Sequence, residues 1–330
     1  MSILSMAPHS VLSRPTPLAL SGEKKVKLNG VENFLLAGTA AAVSKTIAAP
    51  IERIKLLLQN QGDAKGIAKP YTGILDICKR VPAEQGIASF WRGNLANVIR
   101  YFPTQALNFA FKEEYKKLAQ NLFNVKSKDA PFLNRLGCDL TAGGLAGATS
   151  LLVVYPLDFA RTRLAMDTGA DGAREFNGTL DTILKTAKGS GWFKGGVYNG
   201  FAISCAGIII YRGLYFGIYD SSKTAINQFG FWGKFMLGYS VTTVAGLAAY
   251  PIDTVRRRMM MNSGLAVEDQ KYKSSIHAFG LILKEEGVPA FFRGAGANIA
   301  RGLGGTLVLV GFDYFKMGYI YWRYGVKQDV

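Results

Sequence analysis

The chain has 330 residues, of which 49% are hydrophobic, and it carries a formal net charge of +16. This apolar content excludes a disordered protein, and two histidines with three scattered cysteines exclude a histidine-rich metal centre or a disulfide scaffold. The charge favours an anionic partner, which composition alone leaves open among nucleic acid, anionic lipid and a phosphorylated small molecule.

Residues 1–30 form an N-terminal extension that the pattern of the remaining chain does not explain. Before Glu23 this extension contains one arginine, several serines and no acidic residue. Transit peptides are normally richer in arginine, so the extension is interpreted as a mobile tail rather than a cleaved leader.

The rest of the sequence repeats three times, over residues 31–128, 129–230 and 231–330. Each repeat contains a proline, a carboxylate two residues later and a base five residues later. A block that ends in glycine follows 43 or 44 residues after each proline. The glycines of this block are Gly93, Gly200 and Gly294. Three copies of both blocks in register exclude a chance match and predict three copies of one structural unit.

Each unit is predicted to contain a membrane helix, a short amphipathic helix at the membrane surface and a second membrane helix. Residues 140–157 and 235–252 are 18-residue runs without a charged side chain before the motif acid, the minimum length for crossing a membrane. The surface helices are predicted over residues 74–83, 179–187 and 275–284. The motif prolines are interpreted as kinks inside helices, with a helix end as the alternative. The fold class is therefore an all-α membrane protein, with six transmembrane helices in three pseudo-symmetric repeats around a central cavity.

The motif acids and bases are too costly to face lipid, so they are expected to point inward. Threefold repetition then allows each acid to reach the base of a neighbouring repeat. The expected ring of ion pairs closes one mouth of the cavity and consists of Glu52–Arg161, Asp158–Arg256 and Asp253–Lys55. The alternative is that these charges pair only within their own helices.

A second set of repeated charges lies near the far ends of the second membrane helices. These charges are expected to form a ring at the opposite mouth, and they are Glu113, Lys116, Asp220, Lys223, Asp313 and Lys316. Two such rings suit alternating access, because three partly hydrated ion pairs close a mouth without locking it.

The centre of the cavity is expected to hold the substrate. Lys45, Arg100, Arg258 and Arg301 are predicted to converge there, which would attract a polyphosphate. Gly207 and Ile208 with Tyr211 offer an apolar slot for a nucleobase, although Tyr211 fits an interfacial anchor equally well.

The repeated motifs are similar to the signature of the mitochondrial carrier family, and the resemblance covers nearly the whole chain after about residue 30. Two stretches of the sequence indicate one particular branch of this family. Residues 94–109 resemble the second helix of the branch that exchanges ADP for ATP, and a six-residue string resembles the signature of that branch. This string is Arg256-Arg257-Arg258-Met259-Met260-Met261.

The resemblance implies a monomer in the mitochondrial inner membrane that exchanges ADP for ATP and binds cardiolipin, without a cofactor or nucleic acid. It also implies that the motif ring faces the matrix, that the second ring faces the cytoplasm, and that Gln59 braces the first ion pair. The substrate residues that it implies are Lys45, Arg100, Asn108, Gly207, Ile208, Tyr211, Arg258 and Arg301.

Three other functions are weighed against this one. A nucleotide-hydrolysing enzyme lacks support because the sequence contains no GxxxxGK[ST] loop. A nucleic-acid-binding protein would carry its bases on a solvated face, whereas many bases here lie inside apolar runs. The remaining alternative is a carrier of the same fold for another nucleotide or phosphorylated metabolite.

Overall fold

The computed structural model describes residues 30–63, 67, 69–125, 130–167, 174–193, 195–226, 231–265, 268 and 270–325. Over these residues the chain forms twelve α-helices and no strand. Residues 1–29, which contain nearly all of the extension expected to be mobile, lie outside the described part of the chain.

The first repeat contains one long helix, one surface helix and a second membrane helix in two pieces. The long helix α1 spans Gly30–Asn60 and the surface helix α2 spans Ile74–Gln85. A 3₁₀ helix over Ile87–Trp91 leads into α3, Asn94–Ile99, and α4, Tyr101–Leu122. Arg100, between α3 and α4, keeps helical backbone angles, so the two pieces follow one another almost without interruption.

The second repeat has the same order with fewer interruptions. Helix α5 spans Phe132–Met166, the surface helix α6 spans Thr179–Ser190 and α7 spans Phe201–Ile226. The 35 residues of α5 measure roughly 50 Å at 1.5 Å per residue, which exceeds the thickness of a bilayer core.

The third repeat divides its first membrane helix instead of its second. Helix α8 spans Phe231–Ala248 and α9 spans Tyr250–Met261. The surface helix α10, Ser275–Glu286, is followed by one turn of helix, α11, Val288–Phe291, and by α12, Ala295–Tyr324.

The three predicted surface helices are confirmed, each two or three residues longer at its C-terminus than the sequence pattern indicated. Each helix turns a short apolar face against the motif helix of its own repeat. The buried residues of these faces are Ile77 and Val81 in α2, Ile183 in α6, and Ala278 and Ile282 in α10. Three separate apolar clusters therefore lie under the three surface helices.

The motif prolines behave differently in the three repeats. Pro50 and Pro156 lie inside α1 and α5, as the kink interpretation predicts. Pro251 instead lies in the first turn of α9, and the axes of α8 and α9 differ by 53°. The bend that the kink interpretation predicts is present in the third repeat, but it falls at a break in the helix just before the proline, because a residue without an N–H fits the first turn of a helix.

The long helices pack in a closed circle. Proceeding around it, α1 contacts α3 and α4, α4 contacts α5, α5 contacts α7, α7 contacts α8 and α9, and α12 returns to α8 and α1. By length and composition α5 and α7 can each cross a membrane, and α8 with α9 can form a third span, within the described residues.

Candidate functional site

The ring of ion pairs expected from the repeats is present at one end of the bundle, here named the ring end. Lys55 Nζ lies 2.9 Å from Asp253 Oδ2. Arg161 pairs with Glu52, and Arg256 pairs with Asp158. Each pair joins two different repeats, so the predicted inter-repeat pairing is confirmed, although Arg256 also lies 3.9 Å from Asp253 of its own helix.

Additional donors hold the carboxylates of the ring. Asn97 Nδ2 donates to Glu52 Oε2 over 3.0 Å, and Arg257 Nε donates to Asp253 Oδ2 over 3.1 Å. Gln59 Nε2 donates to Thr254 Oγ1 over 2.8 Å and lies 3.4 Å from Asp253 Oδ2. The glutamine expected to brace the first ion pair therefore lies beside Lys55–Asp253, the pair between the first and third repeats, and not beside Glu52–Arg161.

Asn97 is a ring residue that the sequence analysis missed. It lies four residues after Gly93 and is almost fully buried. The one available signal was its position within the second membrane helix of the first repeat. The equivalent positions, four residues after the other block glycines, are occupied by Ser204 and Asn298, so no threefold identity marked the site.

The second repeated block brings the helices close to the ring. Gly93, Gly200 and Gly294 have φ values of 79°, 84° and 84°, in the left-handed region that favours glycine. A Cβ atom on them would lie 2.9, 3.0 and 2.9 Å from the backbone carbonyl oxygens of the ring bases Arg161, Arg256 and Lys55, respectively. Each glycine thus packs against the next repeat, which explains why this block is repeated.

Three further bases lie directly above the ring. Arg100 Nη1 lies 3.6 Å from Asp158 Oδ1, and Arg301 Nη1 lies 3.8 Å from Glu52 Oε1. Lys45 Nζ lies 5.5 Å from the centre of the Tyr101 ring. All three side chains are at least nine-tenths buried, as the convergence of bases in the sequence predicts.

Bases outnumber acids in this region by seven to three among the described residues. The acids are the ring carboxylates Glu52, Asp158 and Asp253. The bases are Lys45, Lys55, Arg100, Arg161, Arg256, Arg257 and Arg301. Buried positive charges of this number repel one another, and a polyanion placed among them would relieve this repulsion.

Arg258 lies elsewhere. The sequence predicts it to face the cavity, but its guanidinium is fully buried on the other side of the ring. Arg258 Nη2 donates to Glu286 Oε2 over 3.0 Å, and Nη1 lies 3.5 Å from Asp63 Oδ2. The prediction is wrong because three consecutive helical residues point about 100° apart, so they cannot all face one cavity.

The apolar slot is only partly formed. Ile208 is buried between α5 and α7, where its side chain packs beside Gly147 rather than standing free in the cavity. Tyr211 is half-buried and stacks on Tyr215, with 6.1 Å between the ring centres. Gly207 faces Ile252 across the α7–α9 contact. The side chain of Asn108 lies outside the described part of the structure.

The second ring remains a prediction. Glu113 and Lys116 are both exposed on α4. The side chains of the other four expected members, Asp220, Lys223, Asp313 and Lys316, lie outside what the structure describes.

The six-residue string on α9 is the junction of the three repeats. Arg256 pairs with an acid of the second repeat, and Arg257 with an acid of the third. Met259, Met260 and Met261 pack, in that order, in the apolar clusters of the third, second and first repeats. The flexible thioether side chains suit this position, where three differently shaped clusters meet.

A threefold helical bundle with a closed charge ring and an excess of buried bases is the architecture of a membrane carrier. The chain belongs to the mitochondrial carrier family: a profile of that family, described as "Mitochondrial carrier protein", matches residues 26–122, 134–230 and 227–321. Members of this family cross the inner mitochondrial membrane several times, which gives this chain its location.

Curated relatives are similar over most of their length. The chain is 51% identical over 334 residues to "ADP,ATP carrier protein 1, mitochondrial" of Triticum aestivum, covering 98% of this chain and 97% of the relative. It is 52% identical over 322 residues to "ADP,ATP carrier protein 2, mitochondrial" of Zea mays and to the protein of that name in Arabidopsis thaliana. Both matches cover 94% of this chain and 81% of the relative.

Proposed function

We propose that this protein exchanges ADP for ATP across the mitochondrial inner membrane by alternating access between two gates. The observation that carries the proposal is the excess of buried bases above the ring, which suits a nucleotide polyphosphate. The curated relatives, all named ADP,ATP carriers, support adenine nucleotides as the substrates.

Binding and opening are linked through shared partners. Arg100 and Arg301 lie within 4 Å of the ring acids Asp158 and Glu52. A polyphosphate in the cavity competes with these carboxylates for the arginines and neutralises the mutual repulsion of the bases. Substrate binding therefore weakens the network that keeps the ring end closed, and this end is proposed to face the matrix.

An empty carrier lacks this compensation. Opening the ring without a ligand separates the buried ion pairs while no anion takes over the contacts of their bases. The protein is therefore proposed to be an obligatory antiporter, with the second ring as the cytoplasmic gate. All members of both rings come from one chain, which supports a monomer as the transporting unit.

Cardiolipin is the proposed lipid partner. The net charge of +16 and the position of the amphipathic helices α2, α6 and α10 around the ring end support an anionic phospholipid at this surface. The test is the thermal unfolding midpoint in detergent with and without added cardiolipin. An equal rise with a zwitterionic lipid contradicts a specific role for cardiolipin.

Exchange in proteoliposomes tests the substrate assignment. Uptake of labelled ADP is measured into vesicles loaded with ADP, with ATP, with another phosphorylated metabolite or with buffer alone. Uptake is expected only against ADP or ATP inside. Equal uptake into empty vesicles contradicts antiport, and exchange that favours a different phosphorylated metabolite contradicts the choice of substrate.

A matched pair of variants on α12 tests the binding site. Arg301→Ala removes a buried base from the cavity, whereas Arg323→Ala removes an exposed one near the C-terminal end of the same helix. We expect Arg301→Ala to abolish exchange and the rise in unfolding midpoint caused by ADP, with both retained in Arg323→Ala. The same loss is expected for Arg100→Ala and Lys45→Ala. Near-normal exchange by any of the three variants removes that base from the site.

A further inference from the structure

Apart from the ring and the bases above it, each repeat contains a buried arginine that reaches the next repeat. Arg53 Nε donates to the carbonyl oxygen of Ala165 over 3.1 Å, and Arg163 Nη1 donates to that of Met261 over 2.9 Å. Arg258 Nη1 lies 3.5 Å from Asp63 Oδ2. These contacts join the first repeat to the second, the second to the third and the third to the first.

Each of these arginines is also held by its own repeat. Arg53 Nη2 donates to Gln85 Oε1 of α2 over 2.6 Å. Arg163 Nη2 donates to Glu175 Oε1 over 3.0 Å, just before α6. Arg258 forms a two-point contact with Glu286 of α10. Arg53 and Arg163 thus use different nitrogens for their own repeat and for the neighbouring one, whereas Nη1 of Arg258 contacts Glu286 and also faces Asp63.

The groups that accept across the repeat boundary lie at the ends of the motif helices. Ala165 is in the last turn of α5, and Met261 is the last residue of α9. Carbonyl groups in the last turn have no partner within the helix and carry partial negative charge, so a guanidinium suits them. Helix α1 ends at Asn60, and Asp63 supplies a carboxylate just beyond it.

We propose that Arg53, Arg163 and Arg258 form an arginine belt, a second set of positioning residues that closes the ring end and has to release whenever the ring opens. The belt joins the same three pairs of repeats as the ring, so any separation that breaks the ring pairs also breaks the belt contacts. This inference rests on the proposed opening of the ring end.

Asp63 offers a direct test. Among the described groups that the belt contacts across a repeat boundary, it is the one side chain, because the other two are the backbone carbonyl groups of Ala165 and Met261. Asp63→Asn removes the charge that faces Arg258 and leaves the contact with Glu286 intact. Asp63 also lies 3.7 Å from Lys271 Nζ, which pairs with Glu285 as well. The matched control is therefore Glu285→Gln, which removes a partner of Lys271 without touching a belt arginine.

The readout is the reactivity of a cysteine placed between ring and belt. Thr162 lies between Arg161 of the ring and Arg163 of the belt, and its side chain is fully buried. Thr162→Cys is introduced after Cys78, Cys138 and Cys205 have been replaced by serine. The rate of reaction with a water-soluble maleimide is then measured in detergent without nucleotide, so that the result does not depend on which substrate is carried.

We expect Asp63→Asn to raise the labelling rate by about three- to tenfold, which corresponds to about 0.7–1.4 kcal/mol and lies within the range of one ordinary hydrogen bond. Glu285→Gln is expected to label at the rate of the parent protein. Equal labelling rates in Asp63→Asn and Glu285→Gln would overturn the belt, even where nucleotide exchange is normal. If Asp63→Asn cannot be purified in folded form, Arg163→Lys takes its place. Lysine lacks the guanidinium whose two Nη atoms reach Met261 and Glu175. The labelling rate of this variant is then compared with that of Glu285→Gln, with the same expected and contradicting outcomes.

Discussion

The carboxylates of the ring each face more than one cation. Asp158 pairs with Arg256 and also lies 3.6 Å from Arg100, while Asp253 faces Lys55, Arg256 and Arg257. A change at one acid therefore affects both the gate and the bases above it. The proposed gate and the proposed binding site thus share residues, so their contributions cannot be separated by single substitutions alone.

Reversing one ring pair tests whether its two members act on each other. Asp158→Arg or Arg256→Asp alone places like charges together, a repulsion of roughly 4 kcal/mol at 4 Å for an effective dielectric constant of 20. We expect the double variant to exchange nucleotide faster than either single variant. Recovery is expected to be partial, because an arginine at position 158 faces Arg100 and an aspartate at position 256 faces Asp253. Additive defects contradict the inter-repeat gate.

Glu286 makes the stability of the closed ring end depend on pH. Burial alone raises the pKa of this carboxyl, but the hydrogen bonds from Arg258 and the charges of Arg293 and Lys271 outweigh burial and lower the pKa. A lowered pKa means that the stabilisation is present above the pKa of the unfolded chain and is lost as pH falls through that of the folded protein.

We therefore expect Glu286→Gln to destabilise the protein at pH 7 by about 1.5 kcal/mol or more, because a hydrogen-bonded charge is lost. The difference from the parent protein is expected to shrink as the pH is lowered towards 4 and below. Thermal unfolding midpoints of both proteins across this range provide the measurement. A difference that stays constant with pH contradicts the assignment, and Glu285→Gln serves as the half-exposed control.

The helices differ most from the sequence-based expectation where the repeats differ from one another. Pattern analysis treats the three prolines alike, yet the first membrane helix of the third repeat is divided at Ala249. The break directs α9 towards the threefold axis, where its methionines reach all three apolar clusters. Tertiary packing of a single segment decides this geometry, and periodicity within a repeat contains no information about it.

The glycines that precede the second membrane helices have left-handed backbone angles, and this predicts how a substitution there changes stability. Gly294→Ala places a Cβ atom 2.9 Å from the carbonyl oxygen of Lys55 and forces alanine to a φ of 84°. We expect a loss of stability greater than about 1 kcal/mol, with slower exchange because the third repeat shifts away from the ring. Gly73→Ala is the control, since Gly73 has extended backbone and no atom within 4 Å of its added Cβ. Equal unfolding midpoints contradict the close packing.

For the molecule as a whole, repetition made most of the fold predictable. Three motif copies located the long helices, the surface helices and the three ion pairs of the ring, because threefold symmetry leaves few ways to pair repeated charges. Repetition of the sequence could not predict features that occur in one repeat only. Asn97 contacts Glu52 in one repeat only, and Arg258 faces a carboxylate, Asp63, that has no counterpart in the repeated motifs.

The excess of bases in the cavity predicts how exchange responds to an electric field. At neutral pH free ATP carries about one more negative charge than free ADP, because the terminal phosphates titrate near pH 6. The bases of the protein are the same for both substrates, so each exchange of ATP for ADP moves about one net charge across the membrane.

In proteoliposomes with a potassium diffusion potential, ATP efflux against ADP uptake is expected to speed up when the outside is positive and to slow when the potential is reversed. ADP–ADP exchange, which moves no net charge, is the control. An equal response of the two exchanges to the potential contradicts electrogenic transport and requires that the extra charge be compensated by a proton or a metal ion.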